Sequence, residues 1–198
     1  MSSKLSSSFY TNADVLQVAR DLIGCKLVTN INGIRTSGII VETEAYNGRT
    51  DKACHAYANK QTTRTEVMYR EGGIAYVYFV YGMHYLFNVV THTKGFADAV
   101  LIRAIEPLEG IKEMMIRRKT SKFSTLLTAG PARLSQALGI NKEINGLSLT
   151  DDTVWIEKSD DNFLPKITVS KRVGVNYAGE DANLMWRFFI IGNMFVSK

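Results

Sequence analysis

From residue 74 to residue 90 the chain runs almost without pause through aromatic and β-branched residues, and the run is interrupted once, at Tyr81-Gly82. A break of that kind inside a strand-forming segment predicts two strands joined by a tight turn, hence an antiparallel pair. A sheet seeded by a hairpin grows differently from a parallel sheet, whose strands need long crossovers. The remaining elements agree. Residues 26–30 and 36–46 read as strands about the turn residues Asn32 and Gly33, and short strand-like segments return at Val154–Glu157, Ile167–Ser170 and 187–191. Thr11 or Asn12 can cap a helix through Val15, Leu16, Ala19, Leu22 and Ile23 that ends at Gly24. Pro107 suits the start of a second helix reaching about Thr120, and Pro131 a third ending at Gly139. Strands and helices without regular alternation point to an α+β fold.

At 198 residues the chain is the size of one domain and buries enough surface to fold without a staple. Residues 1–8, polar and serine-rich, read as a disordered tail, and residues 9–198 as a single domain. Cys25 and Cys54 are too few and too far apart for a thiolate metal site, so reduced thiols are expected. No apolar run is long enough for a membrane span and the N-terminus has no signal-like core, which predicts a cytoplasmic location. Lys and Arg outnumber Asp and Glu by 24 to 19, a mild bias toward a polyanionic partner.

Three features bear on chemistry. In residues 39–46, strand alternation sends Ile39, Val41, Thr43 and Ala45 to one face and Ile40, Glu42, Glu44 and Tyr46 to the other. The second face carries two carboxylates ~6.6 Å apart along the strand. By itself this is what a solvated edge strand looks like. Tyr76 and Tyr78 share a face, with Tyr81 at the turn; such rings serve as strand packing or as a platform for planar bases. Lys112, Arg117, Arg118, Lys119, Lys122 and Arg133 flank a lone acid, Glu113, and read either as a solvated surface or as a phosphate-contacting one. Residues 47–73 form a polar stretch longer than connectors in compact domains usually are, which marks it as functional.

The string Val41-Glu42-Thr43-Glu44-Ala45-Tyr46, then Ala53-Cys54-His55-Ala56, Gln61-Thr62-Thr63-Arg64 and Tyr76-Val77-Tyr78-Phe79-Val80-Tyr81-Gly82-Met83, resembles the alkyladenine (3-methyladenine) DNA glycosylases of base-excision repair. The resemblance continues through Asn88, Leu101-Ile102-Arg103-Ala104-Ile105-Glu106-Pro107-Leu108-Glu109-Gly110, Gly130-Pro131-Ala132-Arg133-Leu134 and Arg172-Val173-Gly174-Val175, and so covers nearly the whole chain. Cys54 departs from it, standing where the pattern has a serine.

The resemblance implies one α+β domain with a curved antiparallel sheet flanked by helices, no cofactor or metal, and double-stranded DNA bearing damaged purines as the partner. It implies a monofunctional enzyme that flips alkylated purines, hypoxanthine or ethenoadenine out of the duplex and hydrolyses the N-glycosidic bond. By carry-over, Glu44 is the general base, and Arg103 and the Val173 carbonyl help hold the attacking water. Tyr46, His55 and Tyr78 sandwich the flipped base, Asn88 discriminates among purines, and Tyr81 enters the duplex in the base's place. Arg64, Lys119 and Arg133 are expected on the DNA backbone, with the protein acting as a monomer without an obligate protein partner. Two other readings stay open: a non-enzymatic nucleic-acid binder using the tyrosines as a stacking platform, and a carbohydrate hydrolase using Glu42 and Glu44 as a pair. His84 and His92 are given structural duty.

Overall fold

A computed structural model describes residues 3–158 and 163–198. Its sheet has eight strands: β1 (Lys26–Ile31), β2 (Ile34–Tyr46), β3 (Ala75–Val80), β4 (His84–Thr91), β5 (Asp98–Glu109), β6 (Val154–Glu157), β7 (Ile167–Ser170) and β8 (Arg187–Ile190). The order is β3-β4-β5-β2-β1-β6, and all pairs are antiparallel. β2 is long enough to take two partners on one edge. Its first half pairs with β1, while Glu42, Thr43 and Glu44 pair with β8, which β7 borders in turn. Among the described residues four α-helices complete an α+β fold: α1 (Ser7–Tyr10), α2 (Val15–Asp21), α3 (Ile111–Arg117) and α4 (Pro131–Ala137).

The hairpin expected at residues 74–90 is present as β3 and β4. Tyr81 and Gly82 both have positive φ (53° and 68°), the sign that primed hairpin turns require, and the Met83 amide donates to the Val80 carbonyl. Two helix starts differ from expectation. Asp14, rather than Thr11 or Asn12, caps α2, accepting from the Leu16 and Gln17 amides, and the Asn12 side chain accepts from the Asp14 amide. Pro107 lies inside β5, a strand that the sequence pattern does not display. It is tolerated because it faces Gly38 at an irregularity in the ladder, where its missing N–H is not needed. Gly38 itself is required there, since a Cβ would come within 2.6 Å of the Glu106 carbonyl oxygen. The helix beyond, α3, starts after Gly110 instead.

Of the stretch read as tail, residues 3–5 lie along β6, and Ser7 and Ser8 open α1. Lys4 bridges Glu157, the Leu5 amide donates to the Ile156 carbonyl, and the Leu5 side chain is buried. Residues 1 and 2 lie outside the described residues.

Strand alternation divides the core in two. One face of the sheet meets the helices: Val77, Phe87, Val89, Val100 and Ile102 join Val18 and Leu22 of the α2 region and Leu134 and Leu138 of the α4 region in one apolar cluster. The other face is covered by residues 47–73. There Tyr76, Val90 and Ala99 pack with Cys54, Ala56, Val67 and Met68. The long polar stretch is therefore a covering layer, folded around two short 3-10 turns at Tyr57–Asn59 and Glu66–Tyr69.

Candidate active site

On the loop-covered face lies a cavity of about 770 Å³. Two register shifts in the β2–β5 ladder aim the charged residues at it. Successive partners are Ile40 with Ile105, Glu42 with Ala104 and Thr43 with Ile102, so Val41 and then Arg103 are extra residues without a facing partner. Bulges of this kind turn a side chain and bend the strand. The bulge also corrects the alternation drawn from the sequence. From Glu42 to Tyr46 it holds, with Ala45 in the apolar core, but before the bulge it fails: Ile40 and Val41 are both fully buried core residues.

Neither carboxylate is solvated: Glu42 and Glu44 are 0% exposed on a central strand, which overturns the edge-strand reading. Glu44 lies directly beneath the cavity. Its Oε2 accepts from the Tyr46 hydroxyl at 2.7 Å, and its Oε1 accepts from the Val173 amide at 2.7 Å and lies 3.3 Å from Arg103 Nη1. Those three partners line the cavity wall, while Glu44 itself has no exposed surface. Tyr46 stays a neutral donor, because burial and the adjacent Glu44 raise its pKa well above the ordinary phenol value. Burial opposes the charge on Arg103, but Glu44 and Glu42 outweigh it, and its pKa is raised.

Glu42 is spoken for. Oε1 receives Arg103 Nε at 2.6 Å, Arg187 Nε at 2.7 Å and the Ser197 hydroxyl at 2.8 Å, and Oε2 receives the Ser197 amide at 2.6 Å. With four protein donors on its two oxygens, two of them arginines, Glu42 is bound as a structural carboxylate, which disfavours the paired-carboxylate hydrolase.

The aromatic residues form one wall. The ring centroid of His55 is 4.6 Å from that of Tyr78, nearly perpendicular, and Tyr78 lies 5.5 Å from Tyr76. His55 is oriented at both nitrogens: Nδ1 is 3.0 Å from the Tyr76 hydroxyl, and Arg64 Nη2 lies 3.3 Å from Nε2. Since Arg64 can only donate, Nε2 accepts and Nδ1 carries the proton. Burial, helped by Arg64, lowers the His55 pKa to about 4, so the ring is neutral at physiological pH. Asn88, across the ladder from Tyr76, gives its Nδ2 to the Tyr76 carbonyl at 3.1 Å. Its amide oxygen is the group left for a ligand.

Of the remaining expected residues, Tyr81 stands on the cavity rim, 86% exposed at the hairpin tip. Arg133 lines the cavity from α4. Arg64 belongs to the ring wall, its guanidinium 5.0 Å from the Tyr78 ring centre. Lys119 follows α3 and is not brought to the cavity. Arg117, counted among the basic surface residues, turns inward to Glu113, Thr36 and the Ala137 carbonyl. His84 lines the cavity, whereas His92 stacks on Phe96 at 4.0 Å. Cys54, a free thiol in the wall, is pushed up to about 12 by burial. Among the described residues no three His, Cys, Asp or Glu side chains stand together as a metal-holding group.

Sequence reasoning missed the supports. Arg172, fully buried with Asp51, also donates to the Ala45 carbonyl and stacks 4.8 Å from the Tyr46 ring centre and 5.1 Å from that of Trp186. It ties the covering loop to the segment whose next residue, Val173, holds Glu44. An unbroken Arg-Val-Gly-Val string hinted at a role, but no spacing could name Asp51 as partner.

Comparison with known proteins places the chain. A protein of Clostridium acetobutylicum is 46% identical over 98% of this chain and 97% of its own length. One of Chlamydia abortus is 50% identical over 94% and 97%, and one of Natranaerobius thermophilus 47% over 98% and 98%. All three are provisionally named 3-methyladenine DNA glycosylases. The family described as methylpurine-DNA glycosylase matches residues 8–194, which include every cavity side chain proposed above for base or water, and the chain belongs to that family.

Proposed function

We propose that the protein is a monofunctional DNA glycosylase that removes alkylated purines from double-stranded DNA, with a water activated by Glu44. The observation that carries the reading is the buried Glu44 carboxylate, held by Tyr46, Arg103 and Val173 directly beneath an aromatic-walled cavity. Breaking an N-glycosidic bond builds positive charge on the sugar. A fixed carboxylate stabilises that charge and takes a proton from the attacking water. Three of its roughly four lone-pair sites face protein donors, and the one left is on Oε2. Because Glu44 has no exposed surface, the water must share or displace the Tyr46 hydroxyl there, with the Val173 carbonyl as a second acceptor.

A base inside a duplex hides its glycosidic bond, so the nucleotide must be extruded. Tyr46, His55 and Tyr78 supply ring faces and edges for it, and stacking offsets unstacking by ~1–3 kcal/mol per base. Purines alkylated at N3 or N7 are cationic. A neutral His55 avoids charge repulsion that an imidazolium would impose, and the positive charge makes the purine a good leaving group. The Asn88 amide oxygen is placed to test the purine edge. Tyr81 fills the gap left in the stack, and Arg133 meets the phosphates. Water is the nucleophile and no lysine is implicated, so no covalent protein–DNA intermediate forms.

The reading is tested by incubating the protein with duplexes containing 3-methyladenine, 7-methylguanine, hypoxanthine or ethenoadenine, then cleaving abasic products with alkali. Strand breaks at a methylpurine, without a borohydride-trapped adduct, are expected. A protein that binds these duplexes yet releases no base would be the stacking binder instead.

A further inference from the structure

Beyond residue 194, where the family match ends, the chain does not leave the molecule. The Asn193 side chain donates to Glu106, Phe195 is buried in the core, and Ser197 enters the cluster under the cavity. There the Ser197 amide and hydroxyl hold both oxygens of Glu42, and the Ser197 carbonyl accepts from Arg187 Nη2 at 2.9 Å. The hydroxyl has a second partner. Having given its single proton to Glu42, it accepts from Arg103 Nη2 at 3.0 Å.

The consequence falls on Arg103. A guanidinium is a rigid plane, so fixing two of its nitrogens fixes the third. Nε is held by Glu42 and Nη2 by Ser197, which leaves Nη1 beside Glu44 Oε1 at 3.3 Å. That third contact is the longest, and the two others set it. We propose that Ser197 is a positioning residue for base excision: with Glu42 it locks the plane of Arg103 so that Nη1 stays on Glu44. This rests on the reading of Glu44 as the base. A serine present only to satisfy buried polar groups would support the fold and leave the chemistry of each folded molecule unchanged.

The test is Ser197→Ala in the full chain, which removes the hydroxyl and keeps the amide bond to Glu42. Displacing a positioning contact costs up to about 10²-fold in rate. Single-turnover excision of a methylpurine should slow by at least about tenfold per folded molecule, with duplex affinity within about twofold of the parent and a lowered melting temperature, since the buried Arg103 Nη2 loses its Ser197 partner. Ser197→Cys, which keeps the volume but supplies only a weak donor, should be nearly as slow. The decisive comparison is made in an Arg103→Lys background, followed over hours. Lysine has no Nη2 for Ser197 to hold, so adding Ser197→Ala should there change the rate by less than about twofold, whereas independent effects would multiply. The proposal is overturned if Ser197→Ala excises within twofold of the parent, if Ser197→Cys matches the parent, or if the same factor is lost in both backgrounds. A parent protein that releases no base fails the functional reading and takes this proposal with it. A parent that excises, matched by Ser197→Ala, fails this proposal alone.

Discussion

The two faces of the sheet are built from alternate residues of the same strands, yet they are held by different physics. Against the helices, Val77, Phe87, Val100 and Ile102 meet apolar side chains, and burial without direction suffices. Under the 47–73 layer the same strands present Tyr76, Asn88 and Arg103, and the layer adds to its apolar packing around Met68 and Ala99 a set of directional contacts: Asp51 to Arg172, Asp98 to Arg49 and the Gly48 amide, Tyr76 to His55. A core tolerates small shifts of its members. On the proposed function the Glu44 carboxylate must meet a water and a sugar and does not tolerate them, and its face is fixed by bonds with defined angles.

The sharpest way to break this comparison is Arg172→Met. It leaves Asp51 buried without its partner, and a loss of about 3–5 kcal/mol in denaturant unfolding is expected. Excision by the molecules that remain folded should fall too, since Val173 loses its support. A variant that kept both stability and rate would show that the loop face is held some other way. Next is Leu22→Ala on the helix face, where Leu22 is fully buried. It should lose about 2–5 kcal/mol while excision per folded molecule stays as in the parent. A slower chemical step there would erase the division between the faces.

Much of this division is readable in the chain. The alternation through Glu42, Glu44 and Tyr46 and the turn at Tyr81-Gly82 are local, and local patterns survive folding. What the sequence does not display is what depends on long-range pairing. The bulges at Val41 and Arg103 exist only once β2 meets β5, and they moved Ile40 into the core. Pro107 carries a helix-start signal, overridden by the ladder irregularity that accommodates it in a strand. Val173 reaches Glu44 across 129 positions and Ser197 reaches Glu42 across 155, so no spacing rule could have joined them.

A smaller effect concerns pH. The folded His55 has its pKa lowered to about 4, against about 6.5 when unfolded. As pH falls, the unfolded chain takes up the proton first. The contribution is therefore fully present above pH 6.5 and lost as pH drops toward 4. Allowing for partial exposure, urea unfolding of the parent should lose roughly 1–2 kcal/mol more over that interval than His55→Gln does. Parallel curves for the two proteins would mean that His55 is not held neutral by its surroundings.

The smallest expected change in stability is at the hairpin tip. Tyr81→Ala should leave the melting temperature nearly unchanged, because the ring is exposed and its backbone has positive φ. Binding to a lesion duplex should weaken by about 1–2 kcal/mol, the scale of one stacking contact. A marked drop in melting temperature with normal lesion binding would make the ring structural.

The central claim is that Glu44 performs the chemistry while Glu42 and its partners hold the frame. It is tested most directly by single-turnover excision of a methylpurine by Glu44→Gln, with lesion-duplex affinity measured on the same preparation. The amide keeps the shape but cannot accept the proton. Excision should therefore fall by roughly 10²–10⁴-fold with affinity largely retained. Excision within a few-fold of the parent would contradict the account.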